Sequence, residues 1–243
     1  MQGRSSHTAP ARALPPAMTL DSLPASPEVL PTDLPAGTVL PATCVIAMAA
    51  SAGGLNALSV ILGGLPADFP AAITIVMHLS PDHESLLAEI LKCRTPLTVK
   101  QAQPGDILYH SSVFVAPPNH HLLVAEGGLL VLSSPSAQKV HFARPSAEPL
   151  FYSVAAVYRE HAIAVVLTGG DGDGSLGVRI IKDLGGMVIA QDRSTSQNFS
   201  MPESSIETGQ VDFILPLDEI APKLLELARQ CTDMRSDSGK ADK

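Results

Sequence analysis

Four short apolar runs interleaved with helical patterns constrain the fold of this chain more than any other feature. They are TCVIAM (Thr43–Met48), AITIVM (Ala72–Met77), AIAVVL (Ala162–Leu167) and MVIA (Met187–Ala190). Each is strand-sized and apolar at odd and even positions alike, so both faces of the strand it forms have to be buried. Around them, GLNALSVILGGL, HESLLAEILKCR, EPLFYSVAAVYREH, SLGVRIIKDLGG and DEIAPKLLELARQ repeat apolar residues at three- and four-residue spacing, the pattern of amphipathic helices. The alternation predicts an α/β fold: a three-layer, doubly wound, mostly parallel sheet with helices on both faces. Residues 97–133 depart from it, with short strand patterns broken by PGD, PPN and EGG turns. They predict an antiparallel insertion at one sheet edge.

This core occupies residues 41–231. Residues 1–40 carry Pro10, Pro15, Pro16, Pro24, Pro27, Pro31 and Pro35 among Ala, Ser and Thr; such a segment buries too little to offset its ordering entropy and reads as a flexible leader. Residues 232–243 read as a flexible polar tail. No apolar stretch approaches the ~18 residues of a membrane span, and no secretory signal precedes the core. Cys44, Cys93 and Cys231 form neither a CxxC pair nor a disulfide framework, which fits a reducing compartment. The expectation is a cytoplasmic protein that is not inserted in a membrane. A net charge of −8 argues against non-specific binding of nucleic acid, which needs a basic face. Aromatics at 4%, with no Trp, supply few stacking platforms for single strands or sugars.

In an open α/β sheet, ligands collect beyond the carboxyl ends of the strands, and three segments stand there. Ala49-Ala50-Ser51-Ala52-Gly53-Gly54 leaves the first strand and enters a helix. A serine between small residues at such a turn is either a projecting nucleophile or a helix cap. His78 directly follows the second strand, either as a general base or as a satisfied polar residue. Thr168-Gly169-Gly170-Asp171-Gly172-Asp173-Gly174 follows the third and offers two carboxylates able to orient an imidazole. Its DGDG run resembles part of a calcium loop, but Ile180, Ile181 and Lys182 stand where the distal Glu would be, so no metal is expected. Nucleophile, base and acid thus come in the chain order Ser, His, Asp, unlike the Ser, Asp, His of α/β-hydrolases.

These motifs resemble the catalytic domain of the chemotaxis protein-glutamate methylesterases, the CheB family, over about Cys44 to Ala228. The family's G-A-S-T-G-G appears as Ala49 to Gly54, its Q-H-M-P as Met77-His78-Leu79-Ser80 with Pro81 one residue late, and its L-T-G-M-G-x-D-G as Leu167 to Gly174. Further matches are Val115-Ala116-Pro117 followed by His120 and His121, Arg144-Pro145-Ser146 before a helix, and Met201-Pro202-Glu203.

The resemblance implies hydrolysis of glutamyl methyl esters, with release of methanol, on the methylated cytoplasmic domain of a chemoreceptor, and deamidation of glutamine in some members. It implies a triad of Ser51, His78 and Asp173, an oxyanion hole at the Ala52 and Gly170 amides, and a substrate contact at Met201; Arg144 reads either as a guanidinium that holds the substrate's neighbouring carboxylates or as part of a structural ion pair. No cofactor is implied. The departures are Ala49 and Ala52 beside the serine, and Gly170 and Asp171 in the acid loop, where the charge of Asp171 either raises the pKa of His78, repels an acidic substrate region, or is solvated without effect. Two-domain members carry an N-terminal phosphoacceptor receiver; the leader here is too short to be one, which leaves control to a separate regulatory protein, to expression, or to nothing at all. The alternative reading is a catalytically weak receptor-binding module of the same fold, favoured by Ala49 and Ala52.

Overall fold

The computed structural model describes residues 41–78 and 85–238, with side chains described as far as Thr232. The proline-rich leader, His83 and the last five residues of the tail lie outside the described residues. In chain order the elements are β1 (Val45–Ala50), α1 (Gly54–Gly63), β2 (Ala72–Met77), α2 (Leu87–Lys92), β3 (Thr98–Gln101), β4 (Ser112–Val115), β5 (Leu122–Ala125) and β6 (Leu129–Leu132). Then follow α3 (Ala147–Tyr158), β7 (Ala162–Val166), α4 (Ser175–Asp183), β8 (Met187–Gln191), α5 (Ser200–Ile206), β9 (Phe213–Leu215) and α6 (Leu217–Ser238).

Seven strands form one sheet in the order β3-β4-β2-β1-β7-β8-β9, and every neighbouring pair is parallel. The apolar runs are its centre because they bury side chains on both faces. In β1, Ile46, Met48 and Ala50 join a core shared with Leu58 of α1, Leu91 of α2 and Leu224 of α6. Val45, Ala47 and Ala49 point the other way, into a core with Phe151 and Val154 of α3 and Val178 and Ile181 of α4. The alternation is the period-two geometry of a strand. Alanine at 47, 49, 162 and 164 on the second face leaves room for α3 to lie close over β1 and β7.

The expected antiparallel insertion takes a different form. β3 and β4 extend the main sheet in parallel, and only β5 and β6 pair antiparallel, as a separate two-stranded sheet. Alternation and turn residues signal strands but carry no direction. Direction is settled by the connection of residues 102–111, which crosses back so that β4 lies between β3 and β2. The hairpin instead packs its Leu122, Val124 and Leu130 into the α3 side of the core. At the other end, the helix of the DEIAPKLLELARQ pattern runs on through Thr232 to Ser238, where the sequence reads as tail. β9, three residues long with Ile214 half exposed, is too short and too wet to show a strand pattern.

Chain order places the reversal of strand order at β1. From there the chain builds outward through β2 to β4 and β3, then returns to lay β7 on the opposite side of β1. Helices flanking such a reversal lie on opposite faces, which opens a crevice at the carboxyl ends of β1 and β7.

Candidate active site

The ends of three strands are laced together at this crevice. The Ser51 amide donates to the Thr168 carbonyl over 3.0 Å, the Leu167 amide to the Ala49 carbonyl over 2.9 Å, and the His78 amide to the Ala50 carbonyl over 3.2 Å. Ser51, His78 and the loop after β7 are therefore fixed to one another by backbone hydrogen bonds.

The turn that carries Ser51 works only without side chains behind it. Gly53 caps α1 at φ 83°, a left-handed conformation that favours glycine, and a Cβ there would lie 2.7 Å from Gln197 Oε1. Gly169 supports the same turn from below. A Cβ on it would lie 1.9 Å from Met201 Sδ and 3.0 Å from the Ser51 Cβ. Gly169→Ala is expected to destabilise the protein by about 1–3 kcal/mol through overpacking. Thermal unfolding of Gly169→Ala and of the double variant with Met201→Ala checks the cause: the second substitution should restore part of the loss.

Ser51 is half-buried, and its hydroxyl has no hydrogen-bond partner among the described residues. His78 is held on both sides of its ring. Nε2 lies 2.8 Å from Asp173 Oδ2, and Nδ1 lies 3.1 Å from Asp171 Oδ2. Asp173 is fully buried and accepts two further hydrogen bonds, from the Ser146 hydroxyl and the Ala147 amide, each at 2.6 Å. Asp171 is 40% exposed, and its other oxygen accepts from the Asp173 amide over 3.2 Å. Burial of the His78 ring works against its charged form, but the hydrogen bonds and charges of Asp171 and Asp173 outweigh it and push its pKa up to about 9. Partial burial of Asp171 would raise its pKa, yet the hydrogen bond and charge of His78 hold it below the usual carboxylate range.

A cavity of about 330 Å³ opens over Ser51 and His78, lined also by Asp171, Lys139, His141 and Arg144. The last three belong to the strap before α3. Arg144 donates to the Ala137 carbonyl, and its Nε is buried without a partner among the described residues. The amides of Ala52 and Gly170 likewise have no acceptor among the described residues. Met201, by contrast, is fully buried beneath Gly169 and does not line the cavity. Its large apolar side chain fills the space that the missing Cβ of Gly169 leaves, so it acts on the site through the turn above it.

Several supporting residues escape sequence reasoning. Ser146, the N-cap of α3, accepts from the Glu148 amide and donates to Asp173. Glu148 is buried and accepts from the amides of Gly174, Leu176 and Gly177, so it caps α4 just beyond Asp173. The Ser-x-Glu start of α3 is the signal that could have found both. His121 takes the Ser146 amide on Nδ1 and bonds the Gln138 carbonyl through Nε2, so its ring is neutral, and burial holds its pKa down. Neither it nor His120 lines the cavity. His141, Glu148 and Asp173 bring one donor atom each within 4.8 Å of one another. The carboxylates among them are already engaged by amides and hydroxyls.

A model of the CheB methylesterase family matches residues 46–224. The chain is 43% identical over 185 residues to the protein-glutamate methylesterase/protein-glutamine glutaminase 2 of Anaeromyxobacter dehalogenans, covering 76% of this chain and 53% of that one. It is 37% identical over 190 residues to the protein of the same name from Methanosarcina mazei, covering 76% and 52%. The chain thus spans about half the length of these curated relatives. The crystal structure of the Thermotoga maritima CheB methylesterase catalytic domain matches with a TM-score of 0.72 at 36% identity, covering 76% of this chain and 98% of that one. Sequence and fold agree over nearly the whole core, and the chain belongs to the CheB methylesterase family.

Proposed function

We propose that this chain is a protein-glutamate methylesterase that hydrolyses glutamyl methyl esters on the cytoplasmic domain of a methylated chemoreceptor and also deamidates glutamine there. The observation that carries the reading is the buried Asp173 carboxylate 2.8 Å from His78, whose ring lines a cavity together with Ser51. The names of the relatives support both activities.

In this reading Ser51 Oγ attacks the ester carbonyl while the His78 imidazole takes its proton, and Asp173 holds the ring in place. The amides of Ala52 and Gly170 receive the oxyanion, each contributing about 3 kcal/mol to the transition state. His78 returns the proton to the leaving methoxide, giving methanol and an acyl-enzyme. Water, deprotonated by the same imidazole, then releases the glutamate carboxylate and free Ser51. With a glutamine substrate the leaving group is ammonia. Lys139 and Arg144 at the cavity rim offer cationic partners for carboxylates beside the ester, a useful local feature on a chain of net charge −8. No described helix is long and apolar enough to cross a membrane, in keeping with work on the cytoplasmic side.

The test uses receptor membranes methylated in vitro with labelled methyl groups. Release of labelled methanol by the native protein is expected, and ammonia from receptors carrying glutamine at the same sites. Release of neither from folded protein, with an active esterase as control on the same membranes, would replace the esterase by a receptor-binding module.

A further inference from the structure

We propose that Asp171 is a latch on His78: in the free protein it occupies the imidazole nitrogen that has to receive the Ser51 proton, and it must move aside before Ser51 can react. The inference rests on the reading of Ser51, His78 and Asp173 as a triad.

An imidazole has two nitrogens, each making one in-plane hydrogen bond. A general base in a triad donates with one and keeps the lone pair of the other turned to the nucleophile. Here both nitrogens face carboxylates, Asp173 at 2.8 Å and Asp171 at 3.1 Å, and Ser51 has no hydrogen bond to the ring. A carboxylate accepts and does not donate, so the ring facing two of them carries both protons and has no lone pair to offer. The raised pKa of His78 follows from the same contacts.

The two carboxylates are not equivalent. Asp173 is buried and tied by Ser146 and Ala147, so it cannot leave. Asp171 is 40% exposed, stands between Gly170 and Gly172, and has one other tie among the described residues, the Asp173 amide at 3.2 Å. Lys139 and Arg144 of the strap line the same cavity and offer cations that can receive it; His141, whose pKa is raised by Glu148, lines it too. Among the described residues, the other titratable groups facing this cluster are Glu148, beside His141, and the neutral His121, beside Ser146. Raising the pH through about 9 removes the second proton of His78 and dissolves the pair. Lowering the pH protonates Asp171 but leaves the imidazolium in place, so acid does not open the latch.

The experiment reads Ser51 and His78 separately. The rate of Ser51 labelling by a fluorophosphonate is followed against pH, and the His78 ring is titrated by ¹⁵N NMR, in the native protein, Asp171→Ala and Asp171→Asn. At pH 7 a base of pKa about 9 is free in about one molecule in a hundred. Asp171→Ala should therefore label at least about tenfold faster at pH 7, with its midpoint lowered by a unit or more. Asp171→Asn removes the charge but can still occupy Nδ1, so its NMR midpoint should fall while its labelling gains less. An unchanged His78 midpoint in Asp171→Ala, or slower labelling at pH 7, would overturn the latch. Absence of labelling in all three proteins would instead remove the triad reading, and the NMR titration would still decide whether Asp171 holds His78.

Discussion

Ser51→Ala is expected to release no methanol above background, a loss on the order of 10⁴-fold or more, while its melting temperature stays within about a degree of the native protein's. The two halves of this expectation have separate causes. Activity falls because no other hydroxyl is placed on the turn after β1, where a nucleophile would meet His78. Stability holds because the Ser51 hydroxyl has no hydrogen-bond partner among the described residues, and the turn is fixed by its backbone bonds to Thr168 and Gly54. Alanine keeps those amides and removes one exposed polar atom. Methanol release and thermal unfolding on the same preparation check both halves. A large drop in melting temperature would mean that the serine supports the turn, and residual release would place the nucleophile elsewhere.

Asp173→Ala should lose both activity and stability. Its carboxylate, fully buried, accepts from His78, the Ser146 hydroxyl and the Ala147 amide. Removing it leaves the buried Ser146 hydroxyl and Ala147 amide without an acceptor and His78 with Asp171 alone, at a cost of about 3–5 kcal/mol. For a folded core of this size that is about 6–20 °C in melting temperature. The rate of ester hydrolysis should fall about 10⁴-fold, the loss seen when a triad acid no longer fixes its imidazole. Asp173→Asn separates the effects, because it keeps an oxygen for Ser146 or Ala147 while no longer enforcing the imidazole's orientation. It should recover much of the stability and little of the rate, as urea unfolding and methanol release would report.

Much of this arrangement is legible in the order of the amino acids alone. Ala72–Met77 is a strand with the ends its apolar run predicts, and β1, β7 and β8 differ from their runs by one or two residues. Parallel strands covered on both faces are apolar along nearly their whole length, which sets these runs apart from half-buried alternating strands and from amphipathic helices. The position of Ser51, His78 and Asp173 just past three such strands is also readable, since a parallel sheet gathers its carboxyl ends on one edge. The features that escape depend on direction or on contact across the fold. β3 and β4 have the turns and alternation of a meander, and only their docking beside β2 makes them parallel. Thr232 and the residues after it are polar enough to read as tail, but they extend a helix already anchored by Ile220, Leu224 and Ala228.

The chain of residues by itself determined the fold class and the strands whose carboxyl ends carry Ser51, His78 and Asp173. Each is a local property, set by hydrophobic period and by the few residues at a strand's carboxyl end. Only the tertiary structure decided what each site residue touches. It put Met201 under Gly169, out of the cavity, turned Ser146 and Ala147 onto Asp173, and set Asp171 against the nitrogen of His78 opposite Asp173. Asp171 and Asp173 are two residues apart on one glycine-rich loop and are indistinguishable as letters. One is buried against the start of α3 and the other left partly exposed at the cavity, a difference that only the fold imposes on two like carboxylates.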